Sequence, residues 1–102
     1  MIPVLNRHRD EIPEGAIYIG RPSKWGNPYS HLWNTIAQFK TATREESIER
    51  YRKHLAAHLQ ADPKYLDPLR EATALVCFCA PRACHGDVIA KELYEDQRAS
   101  DV

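Results

Sequence analysis

Apolar positions fall into short runs near the start and end of the chain, with a long periodic stretch between them. "IPVLNR" (2–7) and "AIYIG" (16–20) are brief apolar runs. The second is β-branched and aromatic and is stopped by Gly20 and Pro22, and both predict strands. Ile48, Tyr51, Leu55 and Leu59 recur at spacings of three and four, opposite Glu45, Glu49, Arg52 and Lys53, which predicts an amphipathic helix. Thr43-Arg44-Glu45-Glu46 reads as its capping box. "TALVCFCA" (73–80) is uncharged and continuously apolar, the pattern of a strand covered on both faces, and Pro81 ends it. Residues 87–97 predict a last helix with Val88, Ile89 and Leu93 inward.

The connections are less uniform. "RPSKWGNPYS" (21–30) is dense in Pro, Gly, Asn and Ser and reads as an ordered loop. "HLWNTIAQFK" (31–40) fits a short helix or an extended segment. Asp67-Pro68 fits an N-cap followed by Pro at N1, opening a short helix through about Ala72. The order strand–strand–helix–strand–helix predicts an α/β fold: a small single-domain Rossmann-like sandwich, a few-stranded sheet flanked by helices with some parallel pairing. The domain takes in residues 1–102, with 1–15 and 98–102 as peripheral ends.

Composition changes this picture mainly by exclusion. The 102 residues are 43% hydrophobic and 27% charged, ordinary for one globular domain. Lys+Arg and Asp+Glu both number 14, so a global basic field for nucleic acid is absent and any such binding needs a local patch. There is no apolar run of membrane-spanning length, and "MIPVLNRHRDEIPEG" carries charge where a secretory signal needs its apolar core. The expectation is a cytoplasmic protein with no membrane partner. GxGxxG does not occur, so a dinucleotide cofactor has no support and none is expected.

All three cysteines lie in "CFCAPRACHGD" (77–87). Cys77, Cys79, Cys84 and His85 make a chemically acceptable zinc set, but Cys77 and Cys79 on a strand stand roughly 6–7 Å apart, whereas one zinc with Zn–S near 2.3 Å needs them within about 4 Å. The other reading packs Cys77 and Cys79 on one side of the central strand. The expectation is no metal ligand. Cys84 lies at a loop-to-helix junction, where amides and the helix dipole lower a thiol pKa, and is a candidate nucleophile. Ligands of open α/β sheets bind beyond the carboxyl ends of strands, beside helix starts. There Arg82 offers a fork for phosphate or carboxylate, Gly86 a close backbone approach, and His85 with Asp87 a titratable pair. Asp87 serves equally as a first-turn capping acid.

The loop after the second strand supplies the complementary set. Arg21, Ser23, Lys24, Trp25 and Gly26 are candidate ligand-binding residues, with cations for phosphate and Trp25 to stack a base. Asn27 is a candidate catalytic amide that positions a base or a water; the other readings are an Asx-turn at Asn27 and Trp25 as a core anchor. His54 and His58, at i and i+4, read as surface residues of the long helix. Tyr65, Trp33 and Phe39 fit a dimer surface or a core, and oligomeric state stays open.

"YIGRPSKWGNPY" and "CFCAPRACHGD" together resemble the hallmark segments of the domain of unknown function 4326 family, small domains of bacteria and their phages. The resemblance covers about residues 16–95. It implies that the two loops form one unit, and it supplies no activity. "GNPY" is also similar to strand-end loops of uracil- and thymine-DNA glycosylases, which makes N-glycosidic chemistry nameable. The expected function is a small nucleotide- or nucleic-acid-acting domain that cleaves or transfers at an N-glycosidic bond, a hydrolase with DNA binding among its options. Its partner is a nucleotide, nucleoside or nucleic-acid base. Catalysis would fall to Asn27, Cys84, His85 and Asp87, and binding to Arg21, Ser23, Lys24, Trp25, Gly26, Arg82 and Gly86. The alternatives are a non-catalytic binding module built on a zinc or anion site of the Cys/His cluster, and a cysteine-based domain using Cys84.

Overall fold

A computed structural model describes residues 2–30, 39–80 and 82–100. The protein is a small mixed α/β domain with a three-stranded parallel sheet flanked by two helices. Strands β1 (Val4–Asn6), β2 (Ile17–Tyr18) and β5 (Leu75–Cys77) form the sheet in the order β1-β5-β2, so the most apolar strand is central. The register pairs Val4 and Ile17 with Leu75, Leu5 and Tyr18 with Val76, and Asn6 with Cys77. Two further short strands, β3 (Tyr29–Ser30) and β4 (Phe39–Lys40), pair in parallel apart from this sheet. Most of the segment left open between helix and extended chain, residues 31–38 with Trp33, lies outside the described residues. Since β1 forms an edge of the sheet, residues 4–6 belong to the fold and not to a peripheral end.

Helix α1 (Arg44–Ala61) begins as its capping box predicts. The Thr43 hydroxyl accepts from the Glu46 amide at 3.1 Å, and the Glu46 carboxylate accepts from the Ala42 amide, one residue upstream of the usual target, at 3.1 Å. Tyr51 and Leu55 are buried, Ile48 and Leu59 partly so, and Glu45, Glu49, Arg52 and Lys53 face solvent. Helix α2 runs from His85 to Ser100, two residues ahead of the expected start, and Val88, Ile89 and Leu93 are buried as expected. Asp67-Pro68 forms a 3-10 turn, Asp67–Leu69, in place of a short helix to Ala72. Leu66 holds the cap position, and the Asp67 carboxylate accepts from Arg70 Nε at 2.8 Å instead of capping.

The last strand is shorter than its apolar run and is not packed alike on both faces. After Cys77 the Asn6 side-chain amide donates to the carbonyls of Phe78 (3.1 Å) and Ala80 (2.9 Å), which bends the chain out of the sheet. Strand alternation and register put Val4, Ile17, Ile19, Leu75 and Cys77 on one face. That face meets α2: a Cβ on Gly86 would lie 2.9 Å from Val4 and 3.0 Å from Ile19. α1 packs on α2 and on β3. Leu5, Tyr18, Val76 and Phe78 point to the other face. Val76 is buried but stands outside the main core cluster, and Phe78 is 48% exposed.

Candidate functional site

All three strands of the sheet run the same way, so their carboxyl ends deliver three loops to one edge, beside the first turns of both helices. A cleft of about 110 Å³ opens there. Its walls are Gly20 and Arg21 after β2, Cys77, Phe78, Cys79, Ala83, Cys84 and His85 from β5 to α2, Arg44, Ser47 and Ile48 from the start of α1, and Asn27 with Tyr29. Pockets that enclose a drug-sized ligand measure roughly 300–1,000 Å³. This cleft would enclose one part of a ligand and leave the rest at the mouth.

His85 is buried, and its Nε2 meets the Ile19 carbonyl at 2.8 Å. A carbonyl only accepts, so Nε2 carries the proton and Nδ1 the lone pair. Burial lowers its pKa, the Ile19 hydrogen bond opposes this, and the nearby Arg21 charge lowers it further. The ring is therefore neutral at pH 7. Cys84 is the cap of α2. Its Sγ accepts from the Gly86 amide at 3.3 Å, while its own amide donates to the Asp87 carboxylate at 3.0 Å. Cys77 Sγ stands 3.4 Å from Cys84 Sγ. This contact and the Gly86 amide outweigh burial and lower the Cys84 pKa. Contact with Cys77, then burial, pushes the Cys79 thiol far up, although Arg44 pulls the other way. Cys84 is thus the most thiolate-like of the three sulfurs.

The zinc reading is overturned. Among the described residues no group of three or more His, Cys, Asp or Glu side chains has a metal-holding geometry. The zinc-centred alternative falls with this, as does the hydrolase expectation. Cys77 is a core residue, 1% exposed, and Cys79 is half-buried beyond the bend.

Of the expected site residues, Arg21, Asn27, Cys84 and His85 line the cleft. Asn27 lines it as a strut: Nδ2 donates to Ser47 Oγ at 2.9 Å and Oδ1 accepts from the Tyr29 amide at 2.9 Å, the turn that an Asn-Pro pair also predicts. Arg21 donates to the Asn27 carbonyl at 2.8 Å. The remaining candidates do not line it. Trp25 points back to the core with Nε1 donating to the Tyr65 carbonyl at 3.2 Å, and Lys24 lies over the Trp25 and Tyr65 rings at 5.0 and 5.3 Å. The Tyr51 and Tyr65 hydroxyls hold this loop through the Trp25 and Lys24 carbonyls. Ser23 is partly buried, and its Oγ is enclosed without a hydrogen-bond partner among the described residues. Gly26 makes room for the Arg21 backbone, since a Cβ there would fall 3.0 Å from it. Gly86 admits Val4 and Ile19, not a ligand. Asp87 caps α2 and Arg82 is exposed outside the lining.

Sequence reasoning missed Arg44, Ser47, Tyr29 and Phe78. Arg44 and Ser47 open α1 and read as helix-start residues; no local signal says that this start abuts β5 and α2. Arg44 Nη1 donates to the Ala83 carbonyl at 3.3 Å, which holds it on the rim. His54 and His58 are also corrected: both are half-buried, in ring contact with each other at 4.4 Å, and His58 stacks on Tyr65 at 4.6 Å.

A protein of Enterobacteria phage T4, described as an uncharacterized 12.4 kDa protein in the nrdA-td intergenic region, is 29% identical over 90 residues, covering 85% of this chain and 72% of that protein. No solved structure matches. The model of the family described as Domain of unknown function (DUF4326) matches residues 4–95, which takes in β1 and all but the end of α2, and the chain belongs to this family.

Proposed function

We propose that the cleft binds a nucleotide or nucleoside phosphate, used in the manner of a small Rossmann-like sheet whose ligand sits beyond the strand ends. One observation carries the reading: two guanidinium groups, Arg21 and Arg44, line the cleft beside two helix starts, and among the described residues its lining holds no carboxylate. Phosphate would lie between these arginines, and a base would meet Tyr29 and Phe78, the aromatic walls, in place of Trp25. The anion half of the binding-module alternative survives in this form. Such a ligand fits a cytoplasmic protein.

The lowered pKa of Cys84 inside the same cleft favours group transfer over binding alone. In that role the Cys84 sulfur attacks the sugar carbon of an N-glycosidic bond, the base leaves with the bonding pair, and a second nucleophile then takes the sugar. Asn27 and Asp87 have no part in it, since their polar atoms serve the fold.

Calorimetric titration with thymidine 5′-monophosphate and with inorganic phosphate tests the binding reading. Arg44→Ala is expected to weaken the nucleotide about 10- to 100-fold, the scale of a lost charge-assisted hydrogen bond. Unchanged affinity in both Arg44→Ala and Arg21→Ala would remove the cleft from consideration. Intact-mass analysis after incubation tests transfer: a sugar-sized adduct on the protein that disappears in Cys84→Ser is expected, and its absence on the wild-type chain would reduce the site to binding.

A further inference from the structure

The face of the sheet opposite α2 carries a cluster of rings. Purely parallel sheets are normally covered on both faces. Here α2 covers one, and among the described residues no helix packs on the other. Adjacent strands deliver rings to that uncovered side: Tyr18 from β2, Phe78 just past β5, and His8 just past β1. Phe78 and His8 stack with centroids 5.0 Å apart, Tyr18 meets Phe78 edge-on at 5.6 Å, and the Arg7 guanidinium lies 5.5 Å over Tyr18. Phe78, at 48% exposed, belongs to this cluster and to the wall of the cleft, so the two surfaces are continuous.

Arginines outnumber carboxylates at this edge although the chain is neutral overall. Arg7 and Arg9 follow β1, Arg82 follows β5, all exposed, and Arg21 and Arg44 line the cleft. Two carboxylates stand among them: Asp10 accepts from the Asn6 amide at 2.8 Å through Oδ2 and meets Arg9 Nε at 4.0 Å through Oδ1, and Asp87 accepts from the Cys84 amide at 3.0 Å. An exposed ring cluster flanked by guanidinium groups matches unstacked bases on a phosphate backbone, and aromatic sheet faces are a recurring way to hold them. A second copy of this chain would bring a like-charged edge against this one, which opposes self-association through the same patch.

We propose that the Tyr18–Phe78–His8 face, with Arg7, Arg9 and Arg82, binds single-stranded nucleic acid and leads one nucleotide of the strand into the adjoining cleft. The inference rests on the nucleotide reading of that cleft and extends it from a free nucleotide to a position in a strand.

Fluorescence anisotropy of the full chain with labelled dT12 and U12, from 50 to 200 mM salt, tests it, with thymidine 5′-monophosphate titrated in parallel. The expected result is binding of at least one oligonucleotide tighter than the monophosphate, with a log–log salt slope of about −2 for three arginine contacts. Phe78→Ala is expected to weaken the strand at least tenfold, and Arg7→Glu with Arg9→Glu to reduce the slope. A preference for U12 would assign RNA, and equal binding would assign contacts to base and phosphate alone; both support the platform. Monophosphate binding with no gain for either oligonucleotide, or a strand affinity indifferent to Phe78→Ala and to salt, overturns the platform and leaves the cleft intact. Strand binding that survives in Arg44→Ala without any monophosphate binding supports the platform and removes the cleft reading. A dimer in sedimentation that Phe78→Glu converts to a monomer, with no strand bound, assigns the face to self-association and overturns the proposal.

Discussion

His85 and Ile19, 66 residues apart in the chain, are joined by a 2.8 Å hydrogen bond from imidazole Nε2 to backbone carbonyl. This bond ties the first turn of α2 to the end of β2, and so fixes the floor of the cleft against the loop that carries Arg21. It also assigns the tautomer, since only a protonated Nε2 can meet a carbonyl.

A buried neutral histidine makes stability depend on pH. The His85 pKa is lowered by burial, so below about pH 6.5 the unfolded chain takes up a proton that the folded chain refuses. The stabilisation is complete above about pH 6.5 and is lost as pH falls through the lowered folded value. His54 is lowered by burial and by His58, and adds in the same direction. Urea midpoints at pH 7.5 and 5.5 are expected to differ, with the lower pH less stable. His85→Gln, which keeps a donor for Ile19, is expected to shrink the difference; an unchanged difference would place the titration elsewhere.

Asp87→Ala separates capping from chemistry. Its carboxylate accepts from the Cys84 amide, and its loss is expected to cost about 1 kcal/mol of stability, the typical value of a helix cap. Nucleotide affinity in calorimetry is expected to stay within about twofold, since Asp87 does not line the cleft. A large loss of affinity with native stability would put the carboxylate in the site.

Gly86→Ala is a packing test. The added carbon would fall 2.9 Å from Val4 Cγ1 and 3.0 Å from Ile19 Cδ1, so α2 has to move off the sheet. Overpacking of this kind costs about 1–3 kcal/mol. Thermal melts are expected to show it, and a melt like that of the wild type would mean the helix start yields freely.

Tyr51→Phe tests how the tryptophan loop is held. The Tyr51 hydroxyl donates to the Trp25 carbonyl at 2.7 Å from a ring that is 1% exposed. Its loss leaves that carbonyl unpaired and is expected to cost about 1–2 kcal/mol. Hydrogen exchange is expected to rise over residues 21–27, and protection equal to the wild type would show that Tyr65 holds the loop unaided.

Wherever local rules suffice, the chain read alone already determines the structure. The Thr43–Glu46 box starts α1 because short-range hydrogen bonds decide helix ends, and the spacing of Tyr51 and Leu55 decides which face is buried. The runs at Val4, Ile17 and Leu75 determine the strands, and the two long loop motifs determine the family. What only the tertiary structure decided is which members of like pairs face the cleft. Trp25 and Phe78 are both large rings in loops after strands, yet Trp25 finds the Tyr65 carbonyl and turns inward while Phe78 stays exposed. Arg82 and Arg44 are both arginines beside a helix start, yet Arg44, 39 residues from Ala83, reaches its carbonyl and lines the site. The physical reason is long range. A parallel sheet brings the ends of distant strands to one edge, and a side chain's role there depends on hydrogen-bond partners whose sequence separation carries no local signal.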